Sequence, residues 1–131
     1  MIVVLDASAA LEILLKKTES EKYSEVLMDA NTVIAPELYL SEISNAAWKH
    51  HKLLHFTHAE AMSLAEDGIG LIDHFVPAKE VWKEALRESI AQDHPVYDAL
   101  YVICARRNDG VLLTCDKRLK QLCKKVGVVA L

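Results

Sequence analysis

Four acidic residues stand where their carboxylates could act together. Asp6 directly follows the apolar, β-branched run Ile2–Leu5, and Asp116 follows the apolar run "VLLT" after one cysteine. Glu42 and Asp98 lie near the predicted starts of helices, among apolar neighbours. Like charges about 5 Å apart at an effective dielectric near 20 repel by roughly 3 kcal/mol, so grouped acids either raise their pKa values or bind a divalent cation. Ligands that are all oxygen select Mg²⁺ or Mn²⁺ over zinc.

Each acid also has a purely structural explanation. An aspartate that follows a strand can cap the next helix, which contributes about 1 kcal/mol. Acids in the first turn of a helix complement the helix dipole. The sequence therefore leaves capping open for each acid taken singly. The grouping of all four acids is what favours a functional site.

The segments around these acids alternate between predicted strands and predicted helices. Strands are predicted over 2–5, 32–36, 70–76, 111–114 and 127–131, and helices over 7–15, 20–30, 37–54, 57–68, 78–92 and 96–108, with a last helix from about residue 116. Ser20 is the predicted N-cap of the second helix, and Gly68 and Gly110 are predicted to end the fourth and the sixth. This alternation implies an α/β fold in one domain over residues 1–131, with a mostly parallel central sheet of four to five strands flanked by helices.

The parallel sheet also predicts where the acids meet. Ligands of open α/β sheets bind beyond the carboxyl ends of the strands. Asp6 and Asp116 project from that edge, and the helix starts that contain Glu42 and Asp98 can face it.

Composition restricts the class of protein further. Of the 131 residues, 52% are hydrophobic and 26% charged, with only 4 Gly and 3 Pro, which is typical of a compact folded domain. The apolar runs are far shorter than the roughly 20 residues that span a bilayer, and no basic region precedes the first apolar run, so we expect a cytoplasmic protein. The three cysteines include no C-x-x-C pair, which argues against a disulfide framework and a zinc cluster.

The charge is distributed unevenly along a chain of net charge −4. Seven of the 15 basic residues but only two of the 19 acidic residues fall after residue 105. This basic segment either binds a polyanion or is the solvated face of a C-terminal helix, and the sequence leaves both open. In the first case, the basic residues nearest the acids are predicted to contact phosphates: Arg106, Arg107, Lys117, Arg118 and Lys120.

The segment 48–58, "WKHHKLLHFTH", is unusually rich in histidine. His51 and His55 are four residues apart and His55 and His58 three apart, spacings that place pairs on one helix face and could bind a transition metal. No carboxylate or cysteine in the segment completes a ligand set. We therefore favour a solvated or nucleic-acid-facing surface.

Four segments in a fixed order resemble a known family. "VVLDASAAL", "APELYLSEISNAAWK", "YDALYVICARR" and "LLTCDKRL" are similar to the PIN-domain family, in particular to the VapC-type toxin ribonucleases of bacteria and archaea. The resemblance covers essentially the whole chain and implies a PIN-like α/β/α sandwich. The chain departs from the family in its acidic overall charge and in its histidine-rich segment.

The resemblance implies an endoribonuclease site that depends on Mg²⁺ or Mn²⁺. The family's catalytic and metal-binding acids match Asp6, Glu42, Asp98 and Asp116. Ser8 and Thr114 match the small hydroxyl residues that accompany the first and last acids, and Asn45 is a companion of Glu42 one turn along the same helix. The resemblance also implies a homodimer and a small antitoxin protein whose tail covers the acidic site.

We therefore expect hydrolysis of RNA phosphodiester bonds, with the acids holding one or two metal ions that activate a water. Two enzyme classes that also use an aspartate after the first strand fit less well. An aspartyl-phosphate enzyme needs a second aspartate where Ser8 stands, and a receiver domain needs paired acids where Leu5 precedes Asp6. A catalytically inactive PIN-like module that binds RNA or protein stays open.

Overall fold

The computed structural model describes all residues from Met1 to Leu131, and four parallel strands form its central sheet. The strands are Ile2–Leu5 (β1), Thr32–Pro36 (β2), His74–Val76 (β3) and Val111–Leu113 (β4), in the order β3-β2-β1-β4. Val3 of β1 pairs with Val33 on one side and with Val111 on the other. The predicted α/β class and its parallel sheet are therefore confirmed, with four strands.

Seven helices flank this sheet. They are Ala7–Leu14 (α1), Ser20–Asp29 (α2), Leu38–Leu54 (α3), His58–Gly70 (α4), Ala78–Gln92 (α5), Val96–Arg107 (α6) and Lys117–Val126 (α7). Helix α6 packs on β1, β2 and β4 and contacts α5 and α7, whereas α1, α3 and α4 pack against one another. None of the seven combines the length and the apolar character that crossing a lipid bilayer requires.

The first strand lies at the centre of the core. Val3, Val4 and Leu5 are completely buried, because neighbouring strands cover both edges of β1 and helices pack around it. A strand buried in this way tolerates no polar side chain, which explains its uninterrupted apolar run. Asp6 is therefore the first position at which the chain leaving β1 can present a charged group.

Two predicted features near the ends of elements are wrong. The segment 127–131 is not a fifth strand, because Gly127 ends α7 with φ 77° and only Ala130 then forms an isolated parallel bridge, to Leu112. Ser20 does not cap α2 but begins it, and its hydroxyl donates to the carbonyl of Ile13. In both places a contact with another part of the chain overrides the structure predicted from neighbouring residues.

Gly68 does not end α4, as its type predicted, but lies buried within it. A Cβ on Gly68 would lie 2.7 Å from Cγ1 of Ile43, so glycine lets α4 pack closely against α3. The Gly68 carbonyl also accepts a 2.6 Å hydrogen bond from the Tyr39 hydroxyl. Because α4 continues to Gly70, β3 begins only at His74 and not at residue 70.

Gly110 likewise has a packing role in place of the predicted helix cap. Helix α6 ends at Arg107, its C-cap is Asn108, and the left-handed conformation falls on Asp109, with φ 48°. A Cβ on Gly110 would lie 3.2 Å from the carbonyl oxygen of Ile2. Glycine at this position therefore allows the chain to enter β4 close against β1.

The two glycines of α4, Gly68 and Gly70, provide a test of the close packing of α4 against α3. We expect Gly68→Ala to lower the free energy of unfolding by about 1–3 kcal/mol, because the added methyl group overlaps Ile43 in a filled core. Gly70→Ala is the matched control, since no atom lies within 4 Å of its added Cβ. The higher helix propensity of alanine should raise the free energy of unfolding of this control by at most about 1 kcal/mol. Urea denaturation of both variants measures the difference, and equal stabilities would contradict close packing at Gly68.

Candidate active site

Asp6 caps α1 and also makes contacts that a cap does not need. It is 6% exposed, and its Oδ1 accepts from the Ala9 backbone N–H at 2.9 Å and from the Ser8 hydroxyl at 2.7 Å. Its Oδ2 accepts from the Thr114 hydroxyl at 2.5 Å. Burial raises the pKa of Asp6; these three hydrogen bonds lower it, and the negative charge of Asp116 raises it further. Hydrogen bonds from α1 and from the turn after β4 thus hold the buried Asp6 carboxylate.

Thr114 connects the end of β1 to the turn after β4. Its hydroxyl is completely buried, donates to Asp6 and accepts from the Asp116 backbone N–H at 2.9 Å. The Ser8 hydroxyl lies 3.3 Å from that of Thr114 and accepts from the Cys115 N–H at 3.0 Å. The two small hydroxyl residues therefore fix the position of one acid relative to the other.

Asp116 is the N-cap of α7. Its Oδ1 accepts from the backbone N–H groups of Arg118 and Leu119, at 2.8 and 3.2 Å. The residue is exposed, and its Oδ2 accepts no hydrogen bond from the protein. Capping therefore occupies one oxygen of Asp116 and leaves the other available to a ligand.

Glu42 lies in the second turn of α3, on the other side of Asp6. Its Oε1 accepts a 2.6 Å hydrogen bond from the hydroxyl of Tyr101 on α6. Desolvation raises the pKa of Glu42, the Tyr101 hydrogen bond lowers it, and the charges of Asp6, Asp98 and Asp116 raise it. The negative charges of all three other acids therefore act on Glu42.

Asp98 lies in the first turn of α6 and is partly buried. Its Oδ2 is 2.7 Å from Nε2 of His94, which precedes the helix. Because an ionised carboxylate only accepts hydrogen bonds, Nε2 is the donor. His94 thus holds one oxygen of Asp98, and the other accepts no hydrogen bond from the protein.

Three further residues hold this site in place, and none of them was predicted from the sequence to do so. Tyr101 and His94 lie three residues after and four before Asp98, a spacing that could have revealed them. Tyr23 of α2 donates to the carbonyl of Thr114 at 3.1 Å. No local pattern points to Tyr23, because the two residues are 91 positions apart.

The strand order explains why the acids meet. Strand β1 lies between β2 and β4, so Asp6 lies between Glu42, which follows β2, and Asp116, which follows β4. The chain runs from β1 through β2 to β3 in one direction and then returns to place β4 on the other side of β1. Such a switch point is where open α/β sheets form their ligand sites.

No group of three or more His, Cys, Asp or Glu side chains is arranged in this structure to hold a metal ion. The chemistry of the acids nevertheless suits a hard divalent cation. One carboxylate oxygen on each of Glu42, Asp98 and Asp116 accepts no hydrogen bond from the protein. These are oxygen donors of the kind that Mg²⁺ accepts alongside several waters. A cation would also relieve the burial and like-charge repulsion that raise the pKa values of Asp6 and Glu42.

The histidine-rich segment does not provide the metal geometry that its spacing allows. Helix α3 ends at Leu54, and His55 follows in the left-handed conformation, with φ 60°. His55 therefore does not continue the helical face of His51, whose Nδ1 instead lies 2.7 Å from the carbonyl oxygen of Phe56.

The predicted phosphate-contacting residues divide into two groups. Lys117 and Arg118 are exposed at the start of α7, beside Asp116, and Lys120 is half-buried one turn further on. Arg106 and Arg107 lie at the opposite end of α6 from Asp98, about 12 Å along the helix axis. They form ion pairs with Glu84 and Glu88 of α5. The structure therefore brings the α7 residues, but not these two arginines, to the acidic site.

Fold and site together define a small α/β domain in which four acidic residues lie near the switch point of the sheet. The family model of the PIN domain matches residues 3–125, and the chain belongs to the PIN-domain family. A curated relative, Ribonuclease VapC3 of Pyrobaculum aerophilum, is 30% identical over 126 residues, which cover 92% of this chain and 94% of the relative. The resemblance noted in the sequence is confirmed.

Two solved structures share the fold. The protein PAE2754 of Pyrobaculum aerophilum superposes with a TM-score of 0.73 at 21% identity, covering 99% of this chain and 89% of the other. VapBC2 of Rickettsia felis, solved bound to a DNA fragment from its promoter, gives a TM-score of 0.70 at 14% identity, covering 100% of this chain and 98% of the other.

Proposed function

We propose that this protein is a metal-dependent endoribonuclease that hydrolyses RNA phosphodiester bonds and acts as the toxin of a toxin–antitoxin pair. The observation that supports this most directly is the convergence of four carboxylates on the partly desolvated end of β1, where Glu42 is coupled to Asp6, Asp98 and Asp116. The relative named Ribonuclease VapC3 supports RNA as the substrate.

Each acid has a distinct supporting contact. Asp6, Glu42, Asp98 and Asp116 would hold Mg²⁺ or Mn²⁺, which when bound supplies an activated water and stabilises charge on the leaving oxygen. Their orientation depends on hydrogen bonds from groups behind them, which commonly control how well ligands hold a metal. Ser8 and Thr114 hold Asp6, and Tyr101 holds Glu42. His94 holds Asp98, and the backbone N–H groups of Arg118 and Leu119 hold Asp116.

RNA must be bound against a net charge of −4, so local cations must meet its phosphates. We assign this role to Lys117, Arg118 and Lys120 of α7, because α7 begins directly after Asp116. Arg106 and Arg107 are left out of this proposal, since Glu84 and Glu88 neutralise them.

Two kinds of protein partner follow from the same proposal. The VapBC2 structure supports a small antitoxin, whose tail we place over the acidic site. A homodimer is supported by an exposed apolar stripe on α5, formed by Trp82, Leu86 and Ile90 at intervals of four residues. An antitoxin partner and a homodimer are both compatible with a toxin that acts in the cytoplasm.

An RNA cleavage assay with controlled metal tests the enzyme proposal. We expect a mixed-sequence, single-stranded RNA to stay intact in EDTA and to be cut after addition of Mg²⁺ or Mn²⁺. Calorimetric titration with Mn²⁺ measures metal binding separately. Binding of Mn²⁺ without cleavage of a broad RNA panel would favour the inactive binding module, and absence of both would overturn the metal site.

A further inference from the structure

A cleft of about 370 Å³ opens from the acidic site between α1 and α3. Ser8 and Glu42 line the end nearest the acids, and Leu11 and Ala46 contribute apolar surface. Binding sites for small groups combine such apolar surface with a few polar side chains that fix orientation. The hydrolytic site described above uses only one end of this cleft.

Two polar side chains further along the cleft have no partner in the protein. The Asn45 amide makes no side-chain hydrogen bond, and the Lys49 ammonium has no carboxylate within 4.0 Å. Lys49 thus differs from Arg106 and Arg107, whose charges are already paired. An unpaired ammonium beside an acidic site is available to a phosphate.

The third polar side chain, His50, is held in one orientation. Its Nδ1 lies 2.8 Å from the carbonyl oxygen of Ala46 and must donate, because a carbonyl only accepts. Its ring also packs edge-on against Phe56, with centroids 5.1 Å apart. In the neutral imidazole this leaves Nε2 as a free acceptor.

Helix geometry sets the order of these groups along the cleft. Glu42, Asn45 and Lys49 are spaced by three and four residues and lie on one face of α3. From Glu42 to Lys49 is two helical turns, about 10.5 Å along the axis. Along the helix axis the cleft therefore presents a carboxylate, then an amide, and then an ammonium and an imidazole on adjacent residues.

We propose that this cleft binds the ribonucleotide adjacent to the scissile phosphate, a role that rests on the proposed ribonuclease function. Lys49 contacts the next phosphate, and His50 Nε2 accepts a hydrogen bond from the ribose 2′-hydroxyl, the group that distinguishes RNA from DNA. Asn45 contacts the sugar or the base edge, and Leu11 and Ala46 pack against the nucleotide. The strand order places this subsite on the opposite side of Asp6 from α7, so RNA crosses the acids between two cationic surfaces.

Salt-dependent RNA binding tests the Lys49 contact. The full chain with Asp6→Asn, which prevents turnover, is titrated in Mg²⁺ against fluorescent single-stranded RNA at several salt concentrations. We expect Lys49→Ala to reduce the magnitude of the log–log salt slope by about 0.7. The matched control is Lys52→Ala on the same helix, outside the cleft and with its Nζ 5.2 Å from the Trp48 ring centre, which should leave the slope unchanged.

A second variant tests the ribose contact. Loss of one net hydrogen bond of about 1 kcal/mol corresponds to about fivefold in affinity, so His50→Ala should reduce the preference for RNA over DNA of the same sequence by about that factor. The salt slope should change little, because a neutral group is removed.

The outcomes separate this inference from the proposed function. An unchanged slope for Lys49→Ala, together with RNA cleavage by the wild type, overturns the subsite but leaves the ribonuclease proposal standing. A wild-type chain that neither cuts nor binds RNA in Mg²⁺ overturns both, and the cleft then becomes a candidate surface for a protein segment.

Discussion

Asp6→Asn should abolish RNA cleavage while the chain stays folded. Loss of a hydrogen-bond partner behind a metal ligand typically costs 10- to 100-fold, so loss of the ligand charge itself should cost at least about 100-fold in kcat/KM. Asparagine keeps an oxygen that can accept from Ala9 and Ser8, so the cap of α1 survives. Cleavage kinetics in Mg²⁺, with circular dichroism as the check on folding, measure both effects.

The same substitution should change how stability depends on pH. Burial raises the pKa of Asp6 above its ordinary value of 3.8, so the folded state keeps this proton at pH values where the unfolded state has lost it. Stability contributed by Asp6 is therefore present at low pH and is lost as pH rises from about 4 through the folded-state pKa. Asparagine does not titrate, so the variant lacks this dependence of stability on pH. We expect the unfolding free energy of the variant, relative to wild type, to increase from pH 3.5 to pH 7 in EDTA.

Asp73→Asn is the matched control for the catalytic claim. Asp73 accepts a hydrogen bond from the Val33 backbone N–H at 2.8 Å, a structural contact outside the acidic cluster. Its replacement should leave cleavage within about twofold of wild type. If Asp6→Asn also cuts RNA at the wild-type rate, Asp6 is only a helix cap.

Thr114→Val should weaken both the fold and the metal site. Valine matches threonine in shape but leaves Oδ2 of Asp6 without its donor and the Asp116 N–H without its acceptor. Leaving such groups unpaired costs about 2 kcal/mol of stability. Because Thr114 orients Asp6, which we propose as a metal ligand, we expect Mn²⁺ affinity to fall about 10- to 100-fold. Chemical denaturation and calorimetry measure the two effects separately.

Thr114→Ser separates hydrogen bonding from packing. Serine keeps the hydroxyl and removes one buried methyl group, which lowers stability by about 1 kcal/mol. Its Mn²⁺ affinity should stay near that of wild type. Equal loss of Mn²⁺ affinity in the valine and serine variants would show that Thr114 acts through packing and not through its hydroxyl.

Local sequence pattern predicted the alternation of strands and helices, the four strands of the sheet and the four acids. Burial on both faces requires an uninterrupted apolar run in β1, so a carboxylate at position 6 stands out without knowledge of the fold. The spacing of Thr114 and Asp116 after β4 is equally local, since it depends on one strand end and the start of one helix. Such features involve neighbouring residues only, and periodicity and capping preferences report them directly.

Contacts between distant segments set which groups hold those acids and which cations stay unpaired. Tyr101 reaches Glu42 across 59 positions, and Arg106 is neutralised by Glu88 across 18, contacts that depend on how helices pack and not on local pattern. Gly68 has the residue type of a helix end, yet the approach of Ile43 from α3 makes it a packing position. Local propensities are worth at most about 1 kcal/mol per residue, so contacts between distant segments override them wherever a core or a buried charge is at stake.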